Sequence, residues 1–160
     1  MQRYVSYGVI TLALLILQTT VVPFAAIANI IPDLLTIWIV YLAIQLGQIP
    51  GTVAGFLIGV VLDLIGGQFL GLHALSKTVG GFLAGYFFNE NKIEYILGSY
   101  EFLLITGITS FVHNTIYFVI LVQGGSIPLL TAVFRFGLFS TIYTIAVALI
   151  PVLMYSRKAA

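Results

Sequence analysis

Apolar residues run along this chain in long blocks, interrupted at intervals by Pro, Gly, Asn or a charged residue, and six blocks are long enough to read as helices. They cover residues 4–22, 33–46, 50–65, 70–88, 96–122 and 128–155. A bilayer core of about 30 Å takes roughly 20 apolar residues of helix, and fewer where a helix is recessed among its neighbours. The pattern therefore predicts an all-α integral membrane protein, a single domain over residues 1–160 with six transmembrane helices. The second and third blocks are short and read as a tight hairpin about residues 47–50, an arrangement that survives when packed inside a bundle.

Composition agrees with lipid as the solvent. Hydrophobic residues make up 61% of the 160, and only 7% are charged, too few to cover a water-facing surface. The net charge of +1 offers no basic field for nucleic acid. Cysteine is absent, which removes disulfides, thiolate metal sites and thiol nucleophiles. Lys and Arg in the connections set orientation, because they are retained on the cytoplasmic side. With six spans and a cytoplasmic N-terminus, Arg3, Lys92, Arg157 and Lys158 all fall inside, whereas five spans would put the last two outside. Arg3 ahead of an apolar run, with Ala26-Ile27-Ala28 after it, also fits a cleavable secretory signal, but the run exceeds a typical signal core.

The third and fourth blocks carry a shared register. Gly51, Gly55, Gly59 and Asp63 are spaced by four, as are His73, Lys77, Gly81 and Gly85. An antiparallel hairpin turning near Gln68 would level Asp63 with His73, Gly59 with Lys77, Gly55 with Gly81 and Gly51 with Gly85. Glycine faces allow the close backbone approach by which membrane helices gain packing energy. The other end of the hairpin is polar, and an ionisable group inside a bilayer costs a few kcal/mol unless paired or wetted. Asp63 and Lys77 are expected to pair there, with His73 beside them.

Arg135 stands seven residues into the sixth block, as Lys77 does in the fourth, which puts both about 10 Å below the outer edge at 1.5 Å per residue. Asp33 opens the second block from the same side. The expected intramembrane polar cluster is thus Asp33, Asp63, His73, Lys77 and Arg135, serving either as structural ion pairs or as a working polar pocket. Pro32-Asp33 also suits the first turn of a helix, where a carboxylate complements the dipole. Thr106, Ser110, His113, Asn114 and Tyr117 form a polar stripe in the fifth block, expected to hydrogen-bond between helices.

Catalytic patterns are missing. There is no GxxxxGK[ST], HExxH or GxSxG, and neither His stands four residues from another ligand in a zinc pattern. Ser76 near His73 and Ser110 near His113 have i,i+3 spacing but no nucleophile loop. The expectation is a protein that is not an enzyme and holds no cofactor or metal.

Three elements in order carry a family resemblance: Pro32-Asp33-Leu34-Leu35; Gly55-Phe56-Leu57-Ile58-Gly59 leading to Asp63; and Leu70-Gly71-Leu72-His73-Ala74-Leu75. With the length and span count, they make the whole chain resemble the rod shape-determining protein MreD family. The family often has basic residues between helices two and three, where this chain has Gly47-Gln48-Ile49-Pro50. The resemblance implies a non-enzymatic scaffold of the elongation machinery in the bacterial cytoplasmic membrane. It would bind MreC directly, sit near RodA, a class B penicillin-binding protein and MreB, and help position peptidoglycan synthesis to maintain cell shape. The substrate-binding components of energy-coupling-factor vitamin transporters are similar in size and architecture and form the alternative. Those usually dock through an AxxxA face on the first helix, and residues 4–22 contain no AxxxA.

Overall fold

A computed structural model of the protein describes residues 2–67, 70–123 and 128–159; the predicted turn at Gln68 lies outside these. Apart from an isolated bridge between Ile27 and Ile30, every element among the described residues is helical. The order is α1 (Gln2–Thr20), a 3-10 turn (Val22–Ala25), α2 (Leu34–Leu46), α3 (Gln48–Gly66), α4 (Leu72–Gly85), a short α5 (Ile93–Leu97) and α6 (Tyr100–Leu121). The last helix runs from α7 (Leu129–Thr131) through a π-helical stretch (Ala132–Leu138) into α8 (Phe139–Ala159).

Three of these helices are long and apolar enough to cross a membrane: Gln48–Gly66, Tyr100–Leu121 and Leu129–Ser156. Leu34–Leu46 is apolar but short, α4 has 14 residues, and the 19-residue α1 is diluted by Gln, Arg, Ser and Thr. Large apolar side chains stand exposed along the exterior, Val9 and Leu12 on α1, Leu57 and Leu64 on α3 and Leu153 on α8 among them. An exterior of this kind is compatible with a membrane protein.

The helix ends have local causes. Asp33 is extended (φ −106°, ψ 90°), and its carboxylate accepts from the Thr36 amide, capping α2. Only Gly47, at φ 102°, separates α2 from α3, a conformation that a side chain would oppose. Gly67, at φ 61°, ends α3. The block predicted as one helix over 96–122 is broken at Gly98 and Ser99, and Ser99 caps α6 by accepting from the Glu101 amide.

α2 is apolar all round and correspondingly central. Leu35, Ile39, Val40, Ala43 and Ile44 are at most 1% exposed. One apolar core joins α2 to Ile96, Leu97, Phe102, Ile105, Ala148 and Val152, and a second joins Leu35 and Ile39 to Leu15 and Ile58. α3 and α4 form an intimate antiparallel pair. A Cβ added at Gly55 would strike the Lys77 carbonyl, one at Gly59 the Ala74 backbone, one at Gly81 the Gly51 carbonyl, and one at Gly85 the Gln48 backbone. Gly51 is closed in on a second side by Ala43 of α2.

The register of this pair is displaced from the expected one by about one helical turn. Gly59 faces Ala74 instead of Lys77, and Gly51 faces Gly81 instead of Gly85. Equal spacing by four in both helices leaves the register open to such a slip, because each glycine finds a small or backbone surface opposite in either alignment.

Candidate functional site: a buried charge cluster at one end of the bundle

The slip in register reassigns the charges. Asp63 does not pair with Lys77. Its carboxylate instead reaches the start of α4 and accepts three backbone amides, from Gly71 (2.9 Å), His73 (2.9 Å) and Ala74 (3.0 Å). These belong to the first turn of α4, where amides have no partner within the helix and the dipole favours negative charge. Gly71 offers no side-chain cap, and Asp63, at 4% exposure, supplies one from the neighbouring helix.

Lys77 pairs with Asp33. The Lys77 ammonium is buried, with its side chain 1% exposed, and donates to Asp33 Oδ2 at 2.5 Å and to Thr36 Oγ1 at 3.1 Å. Thr36 Oγ1 in turn donates to Asp33 Oδ2 at 2.8 Å, while Asp33 Oδ1 accepts the Thr36 amide at 2.9 Å. His113 Nε2 lies 3.3 Å from the same carboxylate oxygen as the ammonium. A buried ion pair repays desolvation only when its remaining hydrogen-bonding capacity is filled, and Asp33 meets that condition with Lys77, Thr36 and His113. An Nε2 that donates to the carboxylate leaves Nδ1 as the acceptor nitrogen of His113. The Nδ1 atoms of His73 and His113 are buried without a partner among the described residues. Tyr117 ties the two rings together, its centroid 4.7 Å from His73 and 6.2 Å from His113.

The connection from α1 holds this arrangement in place. Gln18 Nε2 donates to the Pro32 carbonyl at 3.1 Å, and Gln18 Oε1 accepts the Leu34 amide at 2.9 Å. The Asp33 amide donates to Thr144 Oγ1 of α8 at 3.0 Å. A cavity of about 430 Å³ lies over the cluster, with Asp33, His73, Lys77 and His113 in its lining beside Gln18, Asn29, Leu62, Phe118 and Ser140.

Arg135 is not part of the cluster. It is exposed, and its guanidinium carbon lies 5.8 Å from the Phe136 ring centroid. His113, a member of the expected interhelical stripe, reaches across to Asp33, the carboxylate that caps α2. Its neighbour Asn114 bridges helices, donating to the Gly137 carbonyl at 3.2 Å and to Thr141 Oγ1 at 3.1 Å. Sequence reasoning misses Thr36 and Gln18. Thr36 stands third after a capping Asp, a position that could have pointed to it, whereas nothing in the sequence marks Gln18 as the clamp. The two Ser/His spacings form no hydrogen-bonded side-chain pair: Ser76 Oγ is spent on the Leu72 carbonyl at 2.8 Å, and Ser110 Oγ meets Asn114 at 3.4 Å. Compared with protein-family models, with curated proteins and with solved structures, the chain finds no match.

Proposed function

We propose that this chain is a six-span protein of the bacterial cytoplasmic membrane, with both termini cytoplasmic, acting as a non-enzymatic scaffold of the MreD kind. One observation carries the reading. The three separated segments that resemble MreD meet in one assembly: Leu35 packs with Ile58 in one apolar cluster, Gly59 lies on Ala74, and Asp63 caps the turn at Gly71, His73 and Ala74. That convergence supports reading the three segments as one unit. On this reading the glycine-packed hairpin and the charge clasp make a rigid body, against which the single transmembrane helix of MreC docks. RodA, a class B penicillin-binding protein and MreB belong to the larger complex. Co-purification from detergent tests the reading: MreC is expected to follow this chain, and depletion of the chain is expected to round the cells. Normal rods after depletion, with no MreC recovered, would refute it.

A second reading has its own support. The cavity of about 430 Å³ above Asp33, Lys77 and His113 falls within the size of small-molecule sites and has convergent polar groups on its lining. A substrate-binding component of an energy-coupling-factor transporter would use such a space. Calorimetry with vitamin-sized ligands separates the two, since saturable binding at micromolar or tighter affinity is expected only of the transporter component.

A further inference from the structure

We propose that Arg135, with the apolar side chains around it, forms a docking site for the phosphate headgroup of an anionic phospholipid. The proposal rests on the membrane reading and is independent of the scaffold assignment. Arg135 stands exposed on the π-helical stretch among Phe134 (56% exposed), Leu138 (38%) and Phe139 (54%). A permanent cation on so apolar an exterior is costly unless it is paired or wetted.

No acidic side chain among the described residues is placed to pair with it. Its acidic side chains are Asp33, Asp63, Glu90, Glu94 and Glu101. Asp33 is committed to Lys77 and Asp63 to the start of α4. Glu90 follows the far end of α4, Glu94 lies in the first turn of α5 and Glu101 in the first turn of α6, all at the opposite end of the bundle. A counter-charge would therefore come from outside.

Its depth identifies the kind. Gly137 abuts Asn114 and Phe118, and Tyr117 packs on His73, in the first turn of α4. Arg135 thus stands level with the ends of α3 and α4, which on the membrane reading is where hydrocarbon gives way to headgroups. A guanidinium matches a phosphate with two parallel N–H donors, and Phe134, Leu138 and Phe139 offer surface for acyl chains. The neighbouring Phe136 ring holds the planar group without using its in-plane donors.

The test uses the full chain in vesicles of mixed phosphatidylcholine and phosphatidylglycerol, with flotation first reporting membrane insertion. Lipids that remain bound after mild detergent extraction are then read by native mass spectrometry. Wild type is expected to retain phosphatidylglycerol over phosphatidylcholine by about fivefold, the scale of one basic residue at an anionic surface. Arg135→Gln is expected to lose that preference, and Arg135→Lys to keep most of it. Equal retention by wild type and Arg135→Gln, or no preference in wild type, would overturn the proposal while flotation leaves the membrane reading standing. Failure to float would overturn both. Capture of a partner chain's carboxylate by Arg135, with no lipid preference, would also overturn it.

Discussion

Replacing Lys77 by Met removes the ammonium from a site where its side chain is 1% exposed and leaves the Asp33 carboxylate without its cation. Breaking a buried pair from one side costs about 3–5 kcal/mol. Asp33 keeps Thr36 and His113 as partners and its side chain is 16% exposed, so the expected loss is at the lower end, about 3 kcal/mol. Asp33→Asn alone leaves the ammonium facing an amide and is expected to cost a similar amount, about 2–3 kcal/mol. The double variant removes both charges and is expected to be less destabilised than the sum by about 2 kcal/mol. Unfolding in mixed dodecyl maltoside and dodecyl sulfate micelles, followed by helical circular dichroism, measures each corner of the cycle. Asp63→Asn combined with Lys77→Met should add to within about 0.5 kcal/mol, because Asp63 serves the backbone of α4 and not the ammonium. Strong coupling between Asp63 and Lys77, with additivity between Asp33 and Lys77, would refute the assignment of partners.

Gly55→Leu and Gly59→Leu would each push a side chain into the α4 backbone and are expected to lower the thermal aggregation temperature strongly, whereas Gly8→Ala, with open space around it, should leave that temperature unchanged or slightly raised. Asn114→Ala loses the bridge to Gly137 and Thr141, with an expected cost of about 1–2 kcal/mol in the same micellar assay. Gln18→Ala releases both the Pro32 carbonyl and the Leu34 amide, and hydrogen exchange at Leu34 should quicken while exchange in α6 stays slow.

Much of the architecture is legible in the sequence because helix ends have chemical signatures. Pro32-Asp33 marks the start of α2, and the glycine spacing in α3 and α4 marks a close-packed hairpin. The register is not legible. A four-residue repeat in both arms of the hairpin fits several alignments, and the one adopted brings Asp63 to the amides at the start of α4, a backbone partner with no sequence signal. The direction of Arg135 is hidden for a different reason. The stretch around it, Ala132–Leu138, has no other polar side chain to mark an inward face, and its π-helical turn rotates the remainder of the helix by roughly 100° per extra residue. Depth along a helix can be counted from its start, but facing cannot. His113 shares a stripe with residues that bond between helices, and its contact with Asp33 depends on a carboxylate 80 positions earlier in the chain.

On the proposed reading the chain is a membrane scaffold whose glycine-packed hairpin and charge clasp present a rigid surface to a single transmembrane helix. It is tested most directly by affinity purification of the full chain from solubilised bacterial membranes, alongside the clasp variant Lys77→Met. An MreC helix recovered in about equal amount with wild type, and depleted with the variant in proportion to its loss of folded protein, is the predicted result. Recovery of wild-type protein in good yield, folded by circular dichroism and without MreC, would contradict the claim.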